Sequence, residues 1–119
     1  MDVINLEKKL NSFLDYWSPK IIVELNNQQV KLAKLKGEFT WHKHDNEDEM
    51  FLVLKGVLKI AFRDKIVELN PNEILVVPKG VEHKPIAEDE VSVLLFEPSS
   101  IINTGAITND FTKSNLEKI

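Results

Sequence analysis

From Ile21 to Phe96 the chain breaks into short segments rich in branched and aromatic residues, each closed by a turn signal. The segments are Ile21–Leu25, Gln29–Lys36, Phe39–His44, Glu49–Leu54, Val57–Phe62, Lys65–Leu69, Ile74–Val77 and Val91–Phe96. Between them lie Asn26-Asn27, Lys36-Gly37, Lys55-Gly56, Arg63-Asp64, Asn70-Pro71-Asn72 and Pro78-Lys79-Gly80. Branched and aromatic side chains suit a pleated, half-buried surface, and Gly, Asn and Pro supply the backbone angles that reverse it. About eight such strands at intervals of about 8–12 residues predict an all-β sandwich or barrel. A length of 119 residues fits one domain. The expected layout is a helical segment over 1–19, a β-barrel over 20–98 and a tail over 99–119.

Ahead of the strands, Val3, Leu6, Leu10, Phe13 and Leu14 recur at helical spacing and form one apolar stripe. Asn5 suits the N-cap, Glu7 suits the positive end of the dipole, and Ser18-Pro19 stops the helix. This helix is expected to pack on the outside of the barrel. The stretch after Ile101 is polar and thinly hydrophobic, which predicts a loop with a frayed final turn. Met50–Leu54, Ile74–Val77 and Val93–Phe96 do not alternate apolar with polar, so both faces of those strands need cover. The helix can cover one sheet and a second copy of the chain the other, so a homodimer is expected.

Several function classes fall away on composition. The chain has no Cys, which excludes disulfide scaffolds, thiol nucleophiles and iron–sulfur clusters. Its net charge is -4 and Arg63 is its one arginine, a poor match for the phosphate backbone of a nucleic acid. One short helix is too few for a helix-turn-helix. No apolar run approaches the roughly 20 residues that span a bilayer, so no membrane partner is expected. Met1–Lys20 alternates charge with isolated hydrophobics, unlike a secretory leader, and a cytoplasmic location is expected.

Chemistry concentrates in the three histidines, His42, His44 and His83. Two stand in Trp41-His42-Lys43-His44, where a strand would put both imidazoles on one face, roughly 7 Å apart. After the polar stretch Asp45-Asn46-Glu47-Asp48, a return of the chain would bring Glu49 alongside them. Taken alone, His-x-His also reads as two surface histidines beside an acidic loop. Three neutral imidazoles and one carboxylate suit a divalent transition metal and leave a net charge near +1 with open coordination positions.

The wider pattern resembles the cupin superfamily. Its first motif, a glycine-led His-x-His followed by Glu and Gly, is met by Gly37, His42, His44, Glu49 and Gly56. Four residues separate His44 from Glu49 and six separate Glu49 from Gly56. Its second motif, Pro-x-Gly-x-x-His, is met by Pro78, Gly80 and His83. Gly37 stands one residue closer to His42 than usual, Asn72 replaces a glycine, and Ala87 replaces the closing asparagine. Asn tolerates left-handed backbone geometry, so the turn at Asn72 is expected to survive.

The resemblance implies a single double-stranded β-helix, a jelly-roll-like barrel, with His42, His44, Glu49 and His83 as metal ligands. The implied cofactor is a divalent transition metal: Mn, Fe, Zn, Ni or Cu. The implied function is a metal-dependent enzyme, dioxygenase- or isomerase-like, acting on a small-molecule metabolite. Non-catalytic binding of a small carbohydrate or organic acid is the alternative. No separate catalytic residue stands out. By parity, Thr40 is expected to share the face of the histidines, and Phe51 and Val53 that of Glu49, as ordinary core. Lys79 and Lys84 flank the His83 turn and are expected to be solvated. A sugar phosphate would want an arginine clamp, and Arg63 sits at an expected hairpin tip.

Overall fold

Side chains two apart on a strand share a face, and along the long strands one parity runs apolar. Ala33 and Leu35, Phe51 and Val53, and Val91, Val93 and Leu95 all point the same way, into one core with Leu58, Ile60, Leu69 and Val77. The computed structural model describes residues 1–119. In chain order its elements are α1 (Leu6–Leu10), β1 (Lys20–Leu25), β2 (Gln28–Glu38), β3 (Glu49–Lys55), β4 (Leu58–Ala61), β5 (Ile66–Leu69), β6 (Ile74–Val77), β7 (Lys84–Pro98) and β8 (Glu117–Lys118).

The 15-residue β7 organises the sheet. Along one edge it pairs antiparallel with β2, from Gln28↔Pro98 to Glu38↔Ile86. Along the other, its C-terminal half pairs with β3 and its first residues with β4. The strand order β5-β4-β7-β2-β1-β8, with β3 joined to β7 and β6 to β3, wraps one hydrogen-bonded sheet around the core as the expected all-β barrel. Two turns behave as their residues dictate: Gly56 at φ +83° follows β3, and Asn72 at φ +70° takes the left-handed conformation that asparagine tolerates.

Two strand segments differ from the sequence expectation. Phe39–His44 is not a strand, because β2 ends at Glu38. The Phe39 amide donates to Pro85 O at 3.0 Å, but Pro85 has no N–H to return the bond, so the ladder stops there. Only an isolated bridge survives beyond it, with the amides of His42 and His83 donating to each other's carbonyls at 3.0 and 2.9 Å. The segment expected as Val91–Phe96 extends backward to Lys84 and forward to Pro98.

The helix is one turn and a fraction, capped by Asn5, whose side chain accepts from the Lys8 amide. It closes at Asn11, with Ser12 Oγ and the Ser12 amide both on Lys9 O. So short a helix is not stable by itself. Leu10 and Phe13 hold it by packing on the outward-facing Leu32, while Val3 and Leu14 stand 99% and 85% exposed off the expected stripe.

The tail is also more ordered than expected. Ile119 donates to Ile21 O, β8 pairs parallel with the start of β1, and Ile101 and Thr104 are buried. Thr104 Oγ1 bonds both Ile107 O and Thr112 Oγ1 at 2.8 Å, which ties the loop into a compact unit. No helix is long and apolar enough to cross a membrane.

Candidate metal centre

The loop that replaces the expected strand still delivers the histidine pair. His42 is fixed by its bridge to His83, and His44 O accepts from the Gly80 amide at 2.7 Å, so the two sequence motifs are stitched together by backbone. Glu49 arrives as the first residue of β3, paired with Val77. The result is a buried group of His42, His44, Glu49 and His83 whose ligand atoms all lie within 4.8 Å of one another. Glu49 Oε1 stands 3.3 Å from His83 Nε2 and 3.6 Å from His44 Nε2. Neighbouring ligands on bonds of about 2.1 Å would be separated by about 3.4 Å in a tetrahedron and about 3.0 Å in an octahedron.

Two of the imidazoles are oriented by carbonyls. His42 Nδ1 donates to Thr40 O and His83 Nδ1 to Val81 O, each at 2.9 Å. A carbonyl only accepts, so Nδ1 carries the hydrogen and the Nε2 lone pair is left for the centre. Thr40 therefore contributes its carbonyl; its hydroxyl accepts from Asn109 Nδ2. His44 is different. Both its ring nitrogens are buried without a hydrogen-bond partner. Such an atom costs about 1–3 kcal/mol if nothing satisfies it, and a cation among these ligands would satisfy Nε2, the nitrogen that faces Glu49. The residues fit a divalent transition metal.

Charge in the centre is managed from behind. Burial would raise the Glu49 carboxyl, but His44, His83 and Glu97 outweigh it and hold Glu49 well below the usual range. Glu97 goes the other way: burial, then the charge of Glu49 beside it, push it well above the usual range, offset in part by Lys31. Lys31 Nζ donates to Glu97 Oε1 at 2.7 Å, and both side chains are buried inside the barrel.

Burial, and after it the nearby His83, lowers His42 from 6.5 to about 4. A histidine lowered in the fold binds its proton first in the unfolded state, so acid favours unfolding. The metal-free protein should therefore lose stability as pH falls from about 6.5 to about 4, by up to ~3 kcal/mol from this residue, and the loss should level off below that window. Urea midpoints measured across this range check it, and a flat profile would refute it.

Beside the ligands lies a cavity of about 40 Å³, lined by Trp17, Phe39 and Asn103 together with His42, Glu49 and Phe51. That is room for about three waters. Phe39 is the hub of its wall, stacked on Trp17 at 4.8 Å, against Phe111 at 5.0 Å and edge-on to His42 at 5.3 Å. Phe51 is thus cavity wall and Val53 plain core. Asn103 uses its amide within the tail, donating to Phe111 O and accepting from the Lys113 amide. Lys79 and Lys84, expected to be solvated, do not line the cavity. Lys84 pairs with Glu38, and Arg63 with Glu82, and both cations lie over the Trp41 ring on the outside.

The tail closes against the centre at Gly105, where an added Cβ would lie 2.0 Å from Lys43 O and 2.8 Å from Lys43 C. Its φ of +63° is also left-handed. Gly105→Ala should cost on the order of 3 kcal/mol and detach the tail from His44, because neither overlap involves a movable side chain. Urea unfolding and proteolysis of the tail measure this; an unchanged midpoint would refute it.

Sequence reasoning missed Lys31 and Glu97, and the signal was parity: each stands on the inward, apolar parity of its strand, with Ala33 and Leu35 or with Val93 and Leu95. It also missed the aromatic cluster of Trp17, Phe39 and Phe111, which comes from three distant segments.

Comparison with known proteins agrees with this geometry. The family described as Cupin domain matches residues 28–97. A crystal structure of a cupin-2 domain protein from Shewanella frigidimarina is 49% identical with a TM-score of 0.80, covering 81% of this chain and 94% of that one. A Neisseria meningitidis protein is 33% identical with a TM-score of 0.76, covering 82% of this chain and all of that one. The uncharacterised Bacillus subtilis protein YdbB is 45% identical over 64 residues, which is 53% of this chain and 57% of YdbB, so the match spans little more than half of that relative. The barrel, the two motifs meeting at one buried His-His-Glu-His group and the family match over 28–97 lead to one conclusion: this chain belongs to the cupin family.

Proposed function

We propose that this chain is a metal-dependent enzyme acting on a small, uncharged metabolite, with a divalent transition metal held by His42, His44, Glu49 and His83. The observation that carries the reading is His44, whose two ring nitrogens are buried and unpartnered beside a cavity that reaches Glu49. A bound Mn, Fe, Ni, Cu or Zn ion would supply Lewis-acid polarisation of a substrate oxygen, and Fe, Mn or Cu would add redox chemistry.

The chain's own residues select the substrate. Trp17, Leu35, Phe39, Phe51 and Leu95 make the wall apolar, and no Lys or Arg lines it. Each cation in question already has a partner: Lys31 has Glu97, Lys84 has Glu38 and Arg63 has Glu82. A phosphate or carboxylate would enter without a clamp, whereas a neutral molecule with one oxygen at its small end suits about 40 Å³ of inner space. Apart from His42 and Glu49, no titratable side chain lines the cavity, so nothing is placed to carry a proton between substrate carbons. That favours dioxygenase-like over isomerase-like chemistry. A homodimer belongs to the same reading, because Ile74 and Val76 leave the outer face of β6 exposed and apolar.

Calorimetric titration of Fe(II)-, Mn(II)- and Ni(II)-loaded protein with small ketones and alcohols, against fructose 6-phosphate, tests the reading. Binding of the neutral probes, with oxygen consumption by the Fe(II) form, is expected. Preference for the sugar phosphate would overturn it, and binding without turnover of any probe would leave the non-catalytic alternative.

A further inference from the structure

Inside the barrel, on the apolar parity of β2 and β7, lies an ion pair that the core does not need. Lys31 is 1% exposed and Glu97 3%, and Lys31 Nζ donates to Glu97 Oε1 at 2.7 Å. The register explains how they meet: Lys31 lies opposite Leu95, so Glu97 is its diagonal neighbour on the inward face. Removing two charges from water costs several kcal/mol each, and apolar residues of similar volume commonly serve a fold as well or better. Stability alone does not account for the pair.

Its position does. In the antiparallel β3–β7 pair Met50 lies opposite Phe96, which sets Glu97 across from Glu49, and the second oxygen of Glu97, Oε2, is buried with no hydrogen-bond partner. His42 and His83 are each fixed through Nδ1 by a carbonyl, whereas no carbonyl or peptide holds the Glu49 side chain. A row therefore runs Lys31, Glu97, Glu49 from the β2 side of the barrel to the metal centre.

We infer that Lys31 and Glu97 are positioning residues for the metal centre: Lys31 fixes Glu97, and Glu97 fixes the rotamer of Glu49 against the ion. This rests on the metal reading given above. Outer partners of ligating carboxylates commonly contribute about 10–100-fold to metal affinity, and that is the size of effect expected here.

The test is competition titration with Co(II), read by chelator displacement and by the visible absorption of the bound ion, on three proteins. The Glu97→Gln variant keeps the shape of the side chain and an acceptor for Lys31, so it should bind within a few-fold of wild type and with the same spectrum. The double variant Lys31→Met/Glu97→Leu removes the buried charges together and should melt near wild type when metal-free, yet bind Co(II) about 10–100-fold more weakly with an altered spectrum. Wild-type affinity and spectrum in the double variant would overturn the inference, as would equal losses in both variants, since the effect would then be loss of the Glu97 charge and not orientation. Failure of the wild-type protein to take up Co(II) would overturn the metal reading itself, and this inference with it. If the double variant does not fold, Glu97→Leu alone carries the same comparison against Glu97→Gln.

Discussion

Replacing His44 with alanine should take bound metal from about one equivalent to nearly none, while leaving the metal-free protein close to its original stability. The first half follows from the ligand set. With one imidazole gone, the remaining His42, Glu49 and His83 keep their geometry but lose a bond that nothing else in the cavity can replace. The second half follows from the unpartnered nitrogens. Truncation leaves a void, which costs stability, but it also removes two buried polar atoms that had no partner, which restores it. Metal binding is linked to folding, so wild-type protein in metal a thousand-fold above its Kd should gain about 4 kcal/mol, and the variant almost none. Elemental analysis and paired melting curves with and without chelator measure both halves. Full metal content in His44→Ala would remove this residue from the centre. A large stability loss in the metal-free variant would show that His44 is a packing residue first.

A single change at Lys31 should be far more damaging to the fold than the double change that removes its partner as well. Lys31→Met is expected to destabilise the metal-free protein by about 3–5 kcal/mol, because it leaves the Glu97 and Glu49 carboxyls adjacent in the barrel with no cation in reach. The cost should fall as pH drops. Burial and Glu49 raise Glu97 well above its usual range, so it takes a proton before most carboxyls do, and a protonated Glu97 no longer needs Lys31. Urea titrations of wild type, Lys31→Met and Lys31→Met/Glu97→Leu close a double-mutant cycle. Additive losses would mean that the two residues do not act as a pair. Near-complete rescue in the double variant would confirm that the penalty is the stranded charge.

Much of the candidate site was legible because histidine is rare in this chain. Three histidines and one well-spaced glutamate leave few combinations, and the resemblance selected the one that the fold assembles. The strand count was legible for a similar reason, since branched runs between Gly, Asn and Pro admit little else. The histidine segment is instructive: the expected strand is a loop, yet the two imidazoles converge. Their convergence depends on the bridge to His83, which a spacing argument applied to one strand does not contain.

Local pattern thus determined the class of fold, the candidate ligands and the absence of any thiol or strongly basic surface. Each of these depends on residue type and on neighbours a few positions away. Tertiary structure decided what surrounds the ligands: Lys31 beside Glu97, 66 positions apart, and Phe39 between Trp17 and Phe111. It also brought Gly105 against Lys43. Those contacts depend on how β7 is shared between β2 and β3 and on where the tail returns to the barrel. Hydrophobic burial sets those choices for the whole chain at once, and the burial of any one residue depends on segments far from it in sequence.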